Sequence, residues 1–488
     1  MNRIYPLDNY PSRRQFFASG KNVLGGAALA SLLGPVLGNA AGGQAGSAHA
    51  PLQLDFAPKA KRVIYLHMVG GPSQMDLFDY KPTMKDWFDK DLPDSIRMGQ
   101  RLTTMTSGQA RFPVAPSKYA FAQAGECGMW MNSELLPWLS KKADAFCWMR
   151  SLHTEAINHE PAIAAMQTGN QVTGRPCLGS WASYGLGSMN ENLPAFVVLI
   201  ATPTNREQEQ AISARLWGAG YLPGQHAGVS FRSKGDPILY VNNPPGIPSE
   251  IRKRSIDGLN KINQMNFHQL GDPETETRIR QYEMAFRMQA SVPELTDINQ
   301  ESAHTFELYG DAAKKPGTFA YTALMARRLA ERGVRFIQVY HNNWDHHSNV
   351  NGRMADQCRD VDQPCYALLE DLRERGMLED TLVIWGGEFG RTIYTQGTLT
   401  KDNYGRDHHP RCFTMWMAGG GAKGGAIYGE TDEFSYNIVK DPIHIRDFHA
   451  TILQLLGFDH ERMTYKYQGL EQRLTGVLPA RVIPELIA

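Results

Sequence analysis

Twice in succession this chain carries a helical pattern through a glycine into a strand that is almost wholly apolar. "FAYTALMARRLAERG" leads into "VRFIQVY", and "QPCYALLEDLRERGML" leads into "TLVIWGG". Strands without polar alternation are those covered on both faces, and helix-to-strand repeats of this kind imply right-handed crossovers and a parallel sheet. "KRVIYLHMV", "AFCWMRS", "LPAFVVLI" and "FTMWMAGGG" supply further strands, and "IRDFHATILQLLG" reads as a helix. The expected fold is a three-layer α/β/α sandwich around a mostly parallel sheet, with helices on both faces.

The 488 residues would fill one large domain or two to three ordinary ones. Fifty basic residues balance fifty acidic ones, so no net field recruits nucleic acid. The six cysteines show no CxxC and no zinc-ribbon spacing, and most are expected to be buried thiols. Residues 1–40 carry Arg13-Arg14, a short Ala/Gly/Leu-rich stretch and small residues near Ala40. That is the pattern of a twin-arginine export signal, too short and too interrupted to be a membrane span. It predicts a periplasmic or secreted protein that engages the twin-arginine machinery, with no integral membrane segment after the signal is removed. Residues 41–60 are expected to be a disordered linker and 61–488 the folded domain. Within it, 201–315 is expected to be an inserted cap, because Pro and Gly rise there and a long polar helical stretch comes after them.

In open α/β sheets, functional groups gather at the carboxyl ends of the strands. The residues just past each expected strand are therefore informative. After the first comes Asp76; after the second come Ser151, His153, Thr154, Asn158 and His159. "NNWDHHSN" supplies Asp345, His346 and His347, "GGEFGRT" supplies Glu388 and Arg391, and "GRDHHP" supplies Asp407, His408 and His409. Five segments deliver acids, imidazoles or hydroxyls to one edge. Mixed carboxylate and imidazole donors suit zinc, manganese or iron, whereas mostly oxygen sites favour calcium or magnesium. Clusters of this size offer places for one or two divalent ions.

"GGPSQMDLFDYKP", "NHEPA", "WDHHSN", "GGEFGRT", "GRDHHP" and "GGGAKGG" together resemble the twin-arginine-exported family called domain of unknown function 1501, within the alkaline phosphatase and sulfatase-like superfamily. The resemblance spans most of the chain outside 201–315. It implies that Asp345, His347 and His408 hold one ion, that Asp76 is the first metal aspartate, and that Glu388 stands where a second ion's aspartate stands. His346 and His409 would support these from behind. Phe389 replaces a histidine ligand of that second ion. No Cys-x-Pro-x-Arg or Ser-x-Pro-x-Arg is present, which removes the formylglycine route. The implied activity is hydrolysis of phosphate or sulfate esters, on a small-molecule or polymer substrate. Thr154 or a metal-activated water would attack, with His159 close by. Thr154 has an equal claim as a helix cap, and Arg391 either neutralises an oxyanion or pairs with an acid on the surface. The competing reading is an exported binding protein that keeps the fold without catalysis.

Overall fold

The computed structural model describes residues 51–488 apart from 208, 239–242, 244, 245 and 272. The expected signal over 1–40 and the first half of the expected linker lie outside the described residues. The main-sheet strands and one hairpin are β1 (Arg62–Met68), β2 (Cys147–His153), β3 (Phe196–Ala201), β4 (Val229–Phe231), β5 (Phe336–His341), β6 (Thr381–Gly386), β7 (Gly390–Gln396), β8 (Gly405–His409), β9 (Phe413–Ala418), β10 (Ile427–Tyr428) and β11 (Ile443–His444). The nine-stranded main sheet has the order β10-β2-β9-β6-β1-β5-β3-β4, with β11 also pairing to β2. All pairings in it are parallel except those of β9. The connection from β6 to β9 explains the exception. It carries the antiparallel hairpin β7–β8 instead of a crossover helix, and the chain re-enters the sheet at the edge it left.

Side-chain alternation along β1 splits the core in two. Ile64, Leu66 and Met68 face one layer, and Val63 and Tyr65 face the other. Helices α5 (Phe319–Glu331) and α6 (Val350–Glu374) cover the first face. The second face is covered by α1 (His159–Thr168), α2 (Leu178–Leu186) and α7 (Ile445–Leu455). The three-layer sandwich is thus the observed architecture.

Two expected boundaries differ. Residues 51–60 lie against the body: Leu52 N donates to Gly185 O, and Lys59 N to Leu455 O. The 201–315 stretch does hold two long helices, α3 (Ser249–Leu270) and α4 (Pro273–Thr296), but it also contributes β4 to the sheet edge. Five cysteines are buried and all six are free. No helix among the described residues is long and apolar enough to cross a membrane.

Candidate metal centre

The site forms where β1, β2, β5 and β6 end and where the reversed β9 begins. Its pivot is Gly70, held at φ +118°, where an added Cβ would collide with Asp345 N. Only glycine tolerates both that dihedral and that approach. The Gly70 N–H donates to Glu388 Oε1 and Oε2 at 2.9 and 3.2 Å, and its carbonyl accepts from Arg391. The loops after β1, β5 and β6 are thereby locked together.

His159, Asp345, His347 and His408 converge so closely that their donor atoms all lie within 4.8 Å of one another. Asp345 Oδ1 is the centre, with His347 Nε2 at 2.8 Å, His159 Nε2 at 3.1 Å and His408 Nε2 at 3.5 Å. The far side of each ring is occupied by an oxygen. His159 Nδ1 lies 2.6 Å from Glu388 Oε1, His408 Nδ1 lies 2.7 Å from Ile157 O, and His347 Nδ1 lies 2.5 Å from Gln396 Oε1. An oxygen acceptor at Nδ1 fixes the proton there, and the Nε2 lone pair then points inward. The buried His159 Nε2 has no hydrogen-bond partner despite its nearness to Asp345. His347 Nε2 and His408 Nε2 sit 3.1 Å apart, and only one proton fits between them. Three inward lone pairs around one carboxylate oxygen are a donor set for a divalent ion, and these residues fit one.

The electrostatics agree. Burial alone would raise the Asp345 carboxyl, but Arg391, with Nη2 at 2.5 Å from Oδ1, and then the three imidazoles outweigh it and hold the group below the usual range. Glu388 is likewise held low against its burial by His159 and His67. Burial lowers His408 to about 4. His159 runs the other way: burial would lower it, yet its two carboxylate neighbours raise it. Without an ion, a proton on His159 bridges Asp345 and Glu388, so cation and proton compete for one place.

The family's sequence profile matches residues 60–487, nearly the whole chain. The chain belongs to the DUF1501 family. That family is described as protein of unknown function. No protein with a curated description matches the sequence. Similar solved structures include a TAB5 alkaline phosphatase with Mg bound (13% identity, 83% of this chain and 99% of that one, TM-score 0.33). A sulfatase from Pseudoalteromonas sp. aligns at 14% identity over 85% of this chain and 71% of that one, with a TM-score of 0.31. A protein in the alkaline phosphatase superfamily from Vibrio parahaemolyticus aligns at 10% identity over 83% and 68%, with a TM-score of 0.33.

Of the eight site residues expected from the sequence of this DUF1501 protein, four form the cluster: Asp345, His347, His408 and His159. His159, expected in a catalytic place, stands among the ligands instead. Glu388 touches the cluster only through His159, because its oxygens already accept from Gly70 N and His159. Asp76 is apart: Arg406 Nε and Nη2 pair with its two oxygens at 2.6 and 3.1 Å, with both side chains fully buried. Arg391 is committed to Asp345 and to the carbonyls of Gly70, Gly71 and Arg406, an acid pair that is buried rather than on the surface. The Thr154 hydroxyl accepts from Ala156 N at 3.4 Å in the turn before α1, whose N-cap is Asn158, so Thr154 is not the expected helix cap. Phe389 packs its ring 4.9 Å from His159 and 4.6 Å from His408. His409 is held by Tyr436 O, and His346 is buried beside Trp344. Gln210, Gln396, Arg406 and His67 were missed. Arg406 stood inside "GRDHHP", but a buried arginine looks like any other in a sequence.

Proposed function

We propose that this protein is an exported, metal-dependent hydrolase of phosphate or sulfate esters built on a one-ion centre. The observation that carries the metal is the shared polarity of three rings, each giving Nδ1–H outward to an oxygen and Nε2 inward to Asp345. Three imidazoles and a carboxylate suit zinc, manganese or iron; calcium wants six to eight oxygens and is a poor match. A single ion is inferred because Glu388 already accepts from Gly70 N and His159, Asp76 is neutralised by Arg406, and Phe389 packs against His159 and His408. When bound, such an ion supplies Lewis acidity at an ester oxygen.

The chain's own groups orient and exclude. Ile157 O, Gln396 and Glu388 fix the three rings. Arg391 offsets the Asp345 charge, and Phe389 keeps water from the rear of His159 and His408. Arg391 is already committed to Asp345 and three carbonyls, and in this reading the attacking group is water. The ester class rests on the sequence resemblance, whose Asp345, His347 and His408 are three of the four residues brought together. Export by the twin-arginine route belongs to this reading and would deliver the protein folded and loaded to the periplasm.

Elemental analysis of chelator-free protein, wild type and the His347→Ala/His408→Ala double variant, is the test, followed by aryl phosphate, phosphodiester and aryl sulfate substrates. Near-stoichiometric metal lost in the double variant, with turnover of one ester, is expected. A metal-free, inactive wild type overturns the reading. A metal-loaded wild type that turns over none of the esters leaves the binding-protein alternative, which the Phe389 packing favours.

A further inference from the structure

The two oxygens of Asp345 have different duties. Oδ1 faces the three imidazoles and Arg391. Oδ2 has one donor among the described residues, the Gln210 Nε2 amide at 2.8 Å. A carboxylate only accepts, so the nitrogen end of that amide must face it.

Gln210 is itself fixed by a reciprocal pair with the buried Asn342. Gln210 N donates to Asn342 Oδ1 at 2.9 Å, and Asn342 Nδ2 donates to Gln210 O at 2.6 Å. The segment leading to Gln210 is tied down by polar contacts. Thr204 N and Oγ1 donate to the two Asp360 oxygens at 2.7 and 2.5 Å, and Glu207 pairs with Arg353. Asp360 in turn holds His341 Nε2 at 3.2 Å, and His341 Nδ1 accepts from Trp344 Nε1 at 3.0 Å. Thr204 and Glu207 thus anchor the chain after β3, and Gln210 places one amide on one oxygen.

We propose that Gln210 is the positioning residue that keeps Asp345 a one-oxygen ligand, by occupying Oδ2 so that Oδ1 alone faces the three imidazoles. This rests on the metal reading above and goes beyond it. A buried carboxylate oxygen stripped of its only donor gains by turning toward a cation, and an outer partner of a ligand is typically worth 10–100-fold in metal affinity.

The test is Co²⁺ titration of the metal-stripped full-length protein followed by visible absorption, for wild type, Gln210→Ala, Gln210→Glu and Thr204→Val. The last loosens the same segment without touching Asp345. Expected are a four-coordinate, intensely absorbing wild type and roughly 10-fold weaker binding in Gln210→Ala, with weaker bands of higher coordination. Gln210→Glu should bind weaker than wild type, through repulsion at Oδ2, and Thr204→Val should keep the wild-type spectrum. An unchanged spectrum and affinity in Gln210→Ala overturns the inference while the metal reading stands. Equal changes in Gln210→Ala and Thr204→Val overturn it as well, by assigning the effect to the segment's anchoring. A wild type that takes up no Co²⁺ overturns both.

Discussion

Two buried aspartates at the same sheet edge have been resolved in opposite ways. Asp76 has its counter-charge built in: the Arg406 guanidinium grips both oxygens and spends its remaining donors on the carbonyls of Ala115, Thr392 and Ile393. Asp345 has Arg391 on one oxygen, but that oxygen also faces three imidazole nitrogens. The first is a finished ion pair and the second is open toward a further cation. A carboxylate at a strand end therefore says little until its partner is known, since a guanidinium and a metal ion are rival answers to the same buried charge.

The two aspartates should part most widely when Arg406 is removed. Arg406→Ala leaves Asp76 charged, fully buried and unpaired, and should cost about 3–5 kcal/mol of stability in urea unfolding. A loss under about 1 kcal/mol would mean that water reaches Asp76 and that the pair is not sealed. At the other aspartate the largest effect should come from the ion itself. Zn²⁺ or Mn²⁺ at 100 times its dissociation constant should stabilise wild type by about 2.7 kcal/mol and do nothing for His408→Ala. Equal stabilisation of both proteins would place the ion elsewhere.

The fold was legible because periodicity and burial are local: "VIYLHM" is apolar apart from His67 and "LVIW" throughout, and both are sheet-buried on both faces. The reversed strand Phe413–Ala418 was not, since direction depends on whether the preceding connection is a helix or a hairpin. In the site, Asp345, His347 and His408 showed as a pattern at strand ends. His159 was visible as a residue, though its place among the ligands was not. Asp76 and Glu388 were noticed for the right chemistry, but their partners Arg406 and Gly70 lie more than 300 residues away in the chain. Gln210 gave no signal at all, because an amide in a polar loop has no spacing to betray it.

Glu388 repeats the contrast on a smaller scale. It is buried, charged and bonded to the far nitrogen of His159, so Glu388→Gln keeps the shape and removes the charge that makes His159 a better donor. Metal affinity measured against a competing chelator should fall roughly 10–100-fold. Retained affinity would show that Glu388 serves Gly70 and the turn rather than the ion.

The mildest effect is set by pH, and its sign separates the histidines. Burial lowers His408, His409 and His449 to about 4 and His346 to about 3, so an unfolded chain takes up protons near pH 6.5 that the folded chain refuses. Stability therefore falls as pH drops from about 6.5 toward 4, by up to about 1.4 kcal/mol per pH unit for each such ring. His159 opposes this in metal-free protein: its raised folded value adds stability that is fully present below about 6.5 and is lost as pH climbs through that raised value. His449 isolates the first effect, since its Nε2 bonds to Met166 O, its ring packs near Phe448, and it is not among the four clustered residues. His449→Gln should flatten the dependence of urea stability on pH between about 5 and 6 by up to about 1.4 kcal/mol per unit. It should leave metal binding as it was, because the proton that competes with the ion belongs to His159. A slope that stays the same would mean that His449 charges freely in the folded protein, and the acid sensitivity would then have to come from the site itself.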